Sequence, residues 1–244
     1  MFDRFQEFFR NPALLLSIPA ALLAIMLHEV SHGLTAYWMG DPTAKKMGRL
    51  TLNPIPHIDI FGLICLVVMH FGWAKPVPVD MRYFKNPRRG FALVALAGPV
   101  SNFLQALVGF LLFYSACLLT PMLWGSDPLT VLYGLLSEPT IDFFRQYPVM
   151  LLHFFLSYYI LMNVGLGVFN LFPIPPLDGS KIVGIVIPDR YYYRILRYER
   201  YGMILLVVLL FTGVLDKPLQ FLLTNALQGI GWLAGLPFGG AFGS

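Results

Sequence analysis

AALLAIMLHEVSHGLTAYWMG, residues 20 to 40, is an apolar run with two histidines and a glutamate in its middle. An ionisable group at the centre of a bilayer costs about 2.5–3.5 kcal/mol on insertion scales, so groups found there mark function. The spacing is H-E-x-x-H, from His28, Glu29 and His32. On a helix, residues four apart share a face, one turn above the other. His28 and His32 can therefore offer two imidazole nitrogens to one Zn²⁺. Glu29 lies about 100° further round, able to hydrogen-bond a water at the metal rather than the metal itself. That is the arrangement metal-assisted hydrolysis needs. A purely structural role would leave three polar groups unsatisfied in lipid.

The rest of the chain agrees with a membrane setting. Of 244 residues, 57% are hydrophobic and only 12% charged, where a soluble domain carries about 25%. The composition specifies an integral membrane protein of one domain, residues 1–244, in contact with the lipid bilayer. The 21 phenylalanines, 12 tyrosines and 4 tryptophans suit lipid-facing surfaces and interfacial belts. A net charge of +4 raises the question of nucleic acid, but no basic patch is interleaved with aromatics, so no nucleic-acid partner is expected. Cys65 and Cys117 lie in apolar stretches and read as buried small side chains. The leading apolar run is read as retained, because Asp3 and Glu7 dilute its basic flank and no small-x-small site follows.

Periodicity divides the chain into segments. Residues 13–40 form a first span, 91–121 a second ended by Pro121, and Val149 to Phe172 a third. Residues 201–215 and 218–236 supply one or two more. Between the first two spans, GRLTLNP (Gly48–Pro54) alternates and predicts a short strand or hairpin. Residues 58–72 are apolar but short for a span of about 20 residues, and read as re-entrant or interfacial. The expectation is an all-α polytopic bundle of about four to six transmembrane helices, with a short β-hairpin or re-entrant segment near the active site.

Charge sets the orientation. Eight of the 17 Lys and Arg fall in residues 41–90 and five more in residues 173–200. The positive-inside rule puts both loops in the cytoplasm. His28 and His32 then sit towards the cytoplasmic end of the first span. If that helix surfaces near Gly40, His32 lies about 12 Å deep at ~1.5 Å per residue.

A tetrahedral catalytic zinc takes three protein ligands and keeps one position for water. Asp178, in PPLDGSK, follows the broken third span on the same side as His32 and is the candidate third ligand. Its alternative role is to cap a helix beginning near Ser180. Pro173, Pro175 and Pro176 forbid a helix just before it. His57 in NPIPHID reads first as a solvated loop histidine, with support of the metal ligands from behind as the candidate functional role. His70 and His153 stand alone near segment ends, where interfacial placement is the default. Trp73 and Tyr191 to Tyr193 read as interfacial anchors.

Three motifs in order now carry a family resemblance: HEVSH (His28–His32), AGPVSN (Ala97–Asn102) and NLFPIPPLDG (Asn170–Gly179). They resemble the site-2 protease family of intramembrane zinc metalloproteases, in its compact bacterial type without PDZ or CBS domains. GRLTLNP and GWAKPVPV resemble the same branch. The resemblance covers roughly residues 20 to 185. It implies one Zn²⁺ per chain held by His28, His32 and Asp178, with Glu29 as general base. It further implies that Asn102 and Asn170 shape the site and contact substrate backbone or oxyanion. The expected reaction is hydrolysis of a peptide bond within or near the transmembrane segment of a membrane-protein substrate, in a bacterial cell membrane, with the active site towards the cytoplasm. A membrane zinc transporter and a catalytically inactive scaffold are the alternatives, and homo-oligomerisation is left open.

Overall fold

The run around His28 is helical from Pro12 to Trp38 (α1). Proline at the first helical position lacks an N–H that would have no partner there anyway. Pro19 sits inside the helix, as membrane helices tolerate. Gly40, at φ 102°, then turns the chain. The computed structural model describes residues 12–59, 62, 75–124, 141–188, 190 and 199–239. After α1 come Thr43–Lys46 (α2), Pro87–Trp124 (α3), Ile141–Gln146 (α4) and Met150–Asn170 (α5). Asp178–Val183 (α6), Glu199–Phe211 (α7) and Asp216–Gly235 (α8) complete the order. Short 3₁₀ turns stand at Ile55–His57, Met81–Tyr83 and Leu236–Phe238.

Three of these helices are long and apolar enough to cross a membrane: Leu15–Trp38 of α1, Pro87–Thr120 of α3, and α5. The α7 and α8 pair, bent by 87° at its break, makes a fourth span if the two count as one. The described residues thus form an all-helical membrane bundle with three to four spans.

Helices in lipid gain nothing from hiding apolar surface from one another, so they associate through close packing at small residues. Ala20 and Ala24 of α1 lie fully buried against Tyr159 of α5. Ala106 of α3 sits under Ile160, Val164 and Val168 of α5. Gly109 and Gly167 serve the same contact. A Cβ at either would come within 2.9 Å of Ile160 and Phe103 respectively. Leu219, Leu223 and Leu227 of α8 pack over this cluster. On the other side of α3, Leu104, Val108 and Leu112 stand exposed at four-residue intervals, a stripe suited to lipid.

The structure corrects several sequence expectations. No strand occurs among the described residues. GRLTLNP turns instead, because its own polar groups satisfy its backbone: Thr51 Oγ1 accepts from the Asn53 N–H and Asn53 Oδ1 from the Ile55 N–H. Gly48, at φ 66°, starts the turn. The second span runs through Pro121 to Trp124; a proline deep in a membrane helix need not end it. His153 is fully buried rather than interfacial. Its Nε2 lies 3.3 Å from Thr120 Oγ1 and its ring packs edge-on against Phe113. Cys117 is half-buried. The expectations for Cys65, His70, Trp73, Tyr191 to Tyr193, and all of residues 58–72 except Ile58, Asp59 and Gly62 lie outside the described residues.

Candidate metal centre

α1, α3 and the α5–α6 connection meet at His28 and His32. α1 places the two rings one turn apart and nearly perpendicular, with Nε2 to Nε2 at 3.0 Å. The prolines after α5 return the chain, and Asp178 starts α6 with its Oδ2 3.3 Å from His28 Nε2 and 3.2 Å from His32 Nε2. Gly179 allows that return. A Cβ there would lie 2.2 Å from the Leu171 carbonyl oxygen. All three side chains are buried, at 6–9% exposure.

These atoms fit a zinc ion. Ligand bonds of about 2.0–2.2 Å in a tetrahedron give edges about 1.63 times longer, or ~3.3–3.6 Å. The observed triangle of 3.0, 3.2 and 3.3 Å is within a few tenths of that. The ring nitrogens behind the site supply a second test. His32 Nδ1 is 2.7 Å from the Val94 carbonyl, which can only accept, so His32 donates from Nδ1. His28 Nδ1 is 2.5 Å from Asn102 Oδ1 and donates likewise. In the neutral rings both Nε2 atoms then present lone pairs to each other and to a carboxylate, a donor set that suits a cation.

Gly98 of α3 makes the approach possible. A Cβ there would lie 2.5 Å from His28 Cε1 and from His32 Cε1 and Nε2. It lies within AGPVSN. Gly98 was not among the expected site residues, although a small residue inside a span is the readable signal of such a close approach.

Glu29 is half-buried on the wall of the same cavity as His28, His32 and Asp178. Its Oε2 accepts the Val77 N–H at 2.9 Å. Val77 lies in KPVPVD, where Pro76 and Pro78 carry no N–H, so Val77 presents a lone backbone donor between them. That segment is pinned around the contact. The Lys75 N–H donates to the His57 carbonyl at 3.0 Å. Arg49 Nη2 donates to the Lys75 carbonyl at 2.5 Å. The Asp80 N–H donates to Asp41 Oδ2 at 2.7 Å, and Asp41 is wholly buried.

His57 is itself buried, its Nε2 bonded to the Thr51 carbonyl at 3.1 Å. It meets the site through the backbone of Lys75, two residues from Val77. Asn102 is wholly buried and absent from the cavity wall, lying behind His28. Asn170 lines the cavity and bonds the Leu166 carbonyl through Nδ2 at 3.0 Å. The cavity measures about 760 Å³, and beyond the polar cluster its walls are mostly apolar residues of α1, α3, α5, α7 and α8 and of the segment around Val77.

Spanning helices, a buried His-His-Asp triangle and a carboxylate on the same cavity wall define a membrane-embedded metal hydrolase. Residues 17–214 match the family described as Peptidase family M50. The chain belongs to that family, and is a zinc-dependent intramembrane endopeptidase of the site-2 type. It is 40% identical over 191 residues to "Putative zinc metalloprotease YwhC" of Bacillus subtilis (strain 168), covering 78% of each chain. It is 28% identical over 209 residues to "Putative zinc metalloprotease Rip2" of Mycolicibacterium smegmatis, covering 83% of this chain and 69% of that protein. No solved structure matches the chain.

Proposed function

We propose that His28, His32 and Asp178 hold the zinc and that Glu29 is the general base for peptide-bond hydrolysis in a membrane-protein substrate. One observation carries this reading: the His28 and His32 Nε2 atoms and Asp178 Oδ2 converge within 3.3 Å, on the cavity that Glu29 also lines. When bound, zinc supplies a Lewis acid that acidifies water and polarises a carbonyl. Glu29 keeps Oε2 on the Val77 N–H, leaving Oε1 to take the proton of the attacking water and pass it to the leaving amine. Asn170, on the cavity wall, hydrogen-bonds the backbone of the bound substrate. Asn102 orients His28.

A helical substrate has its amides paired internally, so the scissile segment unwinds before attack. The apolar walls of the cavity suit its side chains. The site faces the cytoplasm of a bacterial cell, because the exposed Lys45, Lys46, Lys75, Lys85 and Arg89 gather between the end of the first span and the start of the second. A cysteine placed at Lys46 should react with an impermeant thiol reagent only from the cytoplasmic side.

The reaction is tested by cleavage of a single-pass membrane substrate in detergent. Glu29→Gln should lower turnover by about 10²–10⁴-fold, the usual worth of a general base, with its zinc retained. Chelation should abolish turnover, and added zinc should restore it. Undiminished cleavage by Glu29→Gln would overturn the assigned base.

A further inference from the structure

Asn102 bonds more than His28. Its Nδ2 donates to Asn163 Oδ1 at 2.8 Å, and Asn163 Nδ2 donates to the Tyr159 carbonyl one turn back on α5, at 2.9 Å. Asn102 and Asn163 are both completely buried. A side-chain amide is ambivalent, since rotating it by 180° exchanges donor for acceptor. Here one end of the chain is not ambivalent. The Tyr159 carbonyl can only accept, so Asn163 must turn its Nδ2 towards it and its Oδ1 towards α3. Asn102 must then donate from Nδ2 and accept with Oδ1. His28 must in turn carry its proton on Nδ1, which leaves the Nε2 lone pair facing Asp178 and His32.

We infer that Asn163 is a positioning residue of the metal centre: acting through Asn102, it fixes the tautomer of His28. Nothing in the hydrolytic reading requires Asn163, which neither lines the cavity nor touches a ligand. The inference rests on His28 being a zinc ligand. If the chain of amides were reversed or cut, Asn102 could turn a donor towards His28 Nδ1. The neutral ring would then hold its proton on Nε2, where no metal can bind.

The test is Zn²⁺ affinity, measured by chelator competition on the folded protein in detergent. Asn163→Val and Asn163→Thr are close in shape, but only threonine keeps a group that can donate to the i−4 carbonyl and still accept. Thr120 and Thr212 of this protein make that donation to Ala116 and Val208. Loss of an outer partner of a metal-bound histidine costs about 10–100-fold in metal affinity. Asn102→Ala should show that loss, Asn163→Val about tenfold, and Asn163→Thr distinctly less than valine. Because both asparagines act on one ring, Asn163→Val should add nothing in the Asn102→Ala background. Wild-type affinity in Asn163→Val, equal losses for valine and threonine, or multiplied losses in the double variant would overturn the inference. His28→Ala separates the levels: if it leaves zinc affinity unchanged, the metal assignment itself fails.

Discussion

The two halves of this site are built from different materials. The proposed metal half belongs to the helical bundle: His28 and His32 come from α1, their backs rest on Asn102 and Val94 of α3, and Asp178 comes from the first residue of the short α6. The acid–base half starts on the same helix, yet Glu29 is held by Val77, in an extended segment with no helix or strand of its own. Outer hydrogen bonds fix the aim of metal ligands, and a bundle interior packed through alanine and glycine holds them with little freedom. The loop half gains its order from buried polar side chains, Asp41 and Arg49, and from the His57 backbone. Zinc retention and proton transfer should therefore separate under mutation, since each depends on a different part of the fold.

The largest effect is expected where the halves meet least. Gly98→Ala drives a methyl group into both imidazoles. Displacements of about 1 Å can cost 10²-fold in rate, so cleavage should fall at least that far and the purified variant should lose its zinc. Full zinc with normal cleavage would show that α3 does not back the rings. Val77→Pro removes the donor to Glu29 in a backbone already set for proline on both sides. A hydrogen bond to a charged group is worth about 1.5–3 kcal/mol, or roughly 10–10²-fold in kcat at 1.36 kcal/mol per decade. Zinc affinity should stay at the wild-type level. Coupled loss of both would merge the two halves into one. Arg49→Met cuts the brace one step further out, at the Lys75 carbonyl. Its kcat should drop by about three- to tenfold, a fraction of the Val77→Pro loss, again with zinc unchanged.

The metal half was far more legible in the sequence than the loop half, for a physical reason. His28, Glu29 and His32 declare themselves because charge is costly in lipid, and four-residue spacing has one geometric meaning on a helix. Asp178 could be found by elimination among the few carboxylates beside irregular backbone. The loop half depends on contacts far apart in the chain, such as Glu29 with Val77 and Asp41 with Asp80, which no local period encodes. Alternation in GRLTLNP suggested a strand, but Leu52 points outwards at 68% exposure while Arg49 is buried, so the pattern did not report one buried face. His153 misled in the opposite sense. Its position near a segment end says nothing of the Phe113 ring and Thr120 hydroxyl that cover it. Asn163 gave no signal in the sequence, because an isolated polar residue in a span looks the same whether or not a partner helix meets it.

The central claim is that two imidazoles on α1 and the carboxylate of Asp178 share one zinc ion inside the membrane domain. Elemental analysis of purified wild type, Glu29→Gln and Asp178→Ala tests it most directly. A single zinc per chain in the first two and almost none in the third is the predicted result. Zinc missing from the wild type, or fully retained by Asp178→Ala, would contradict it.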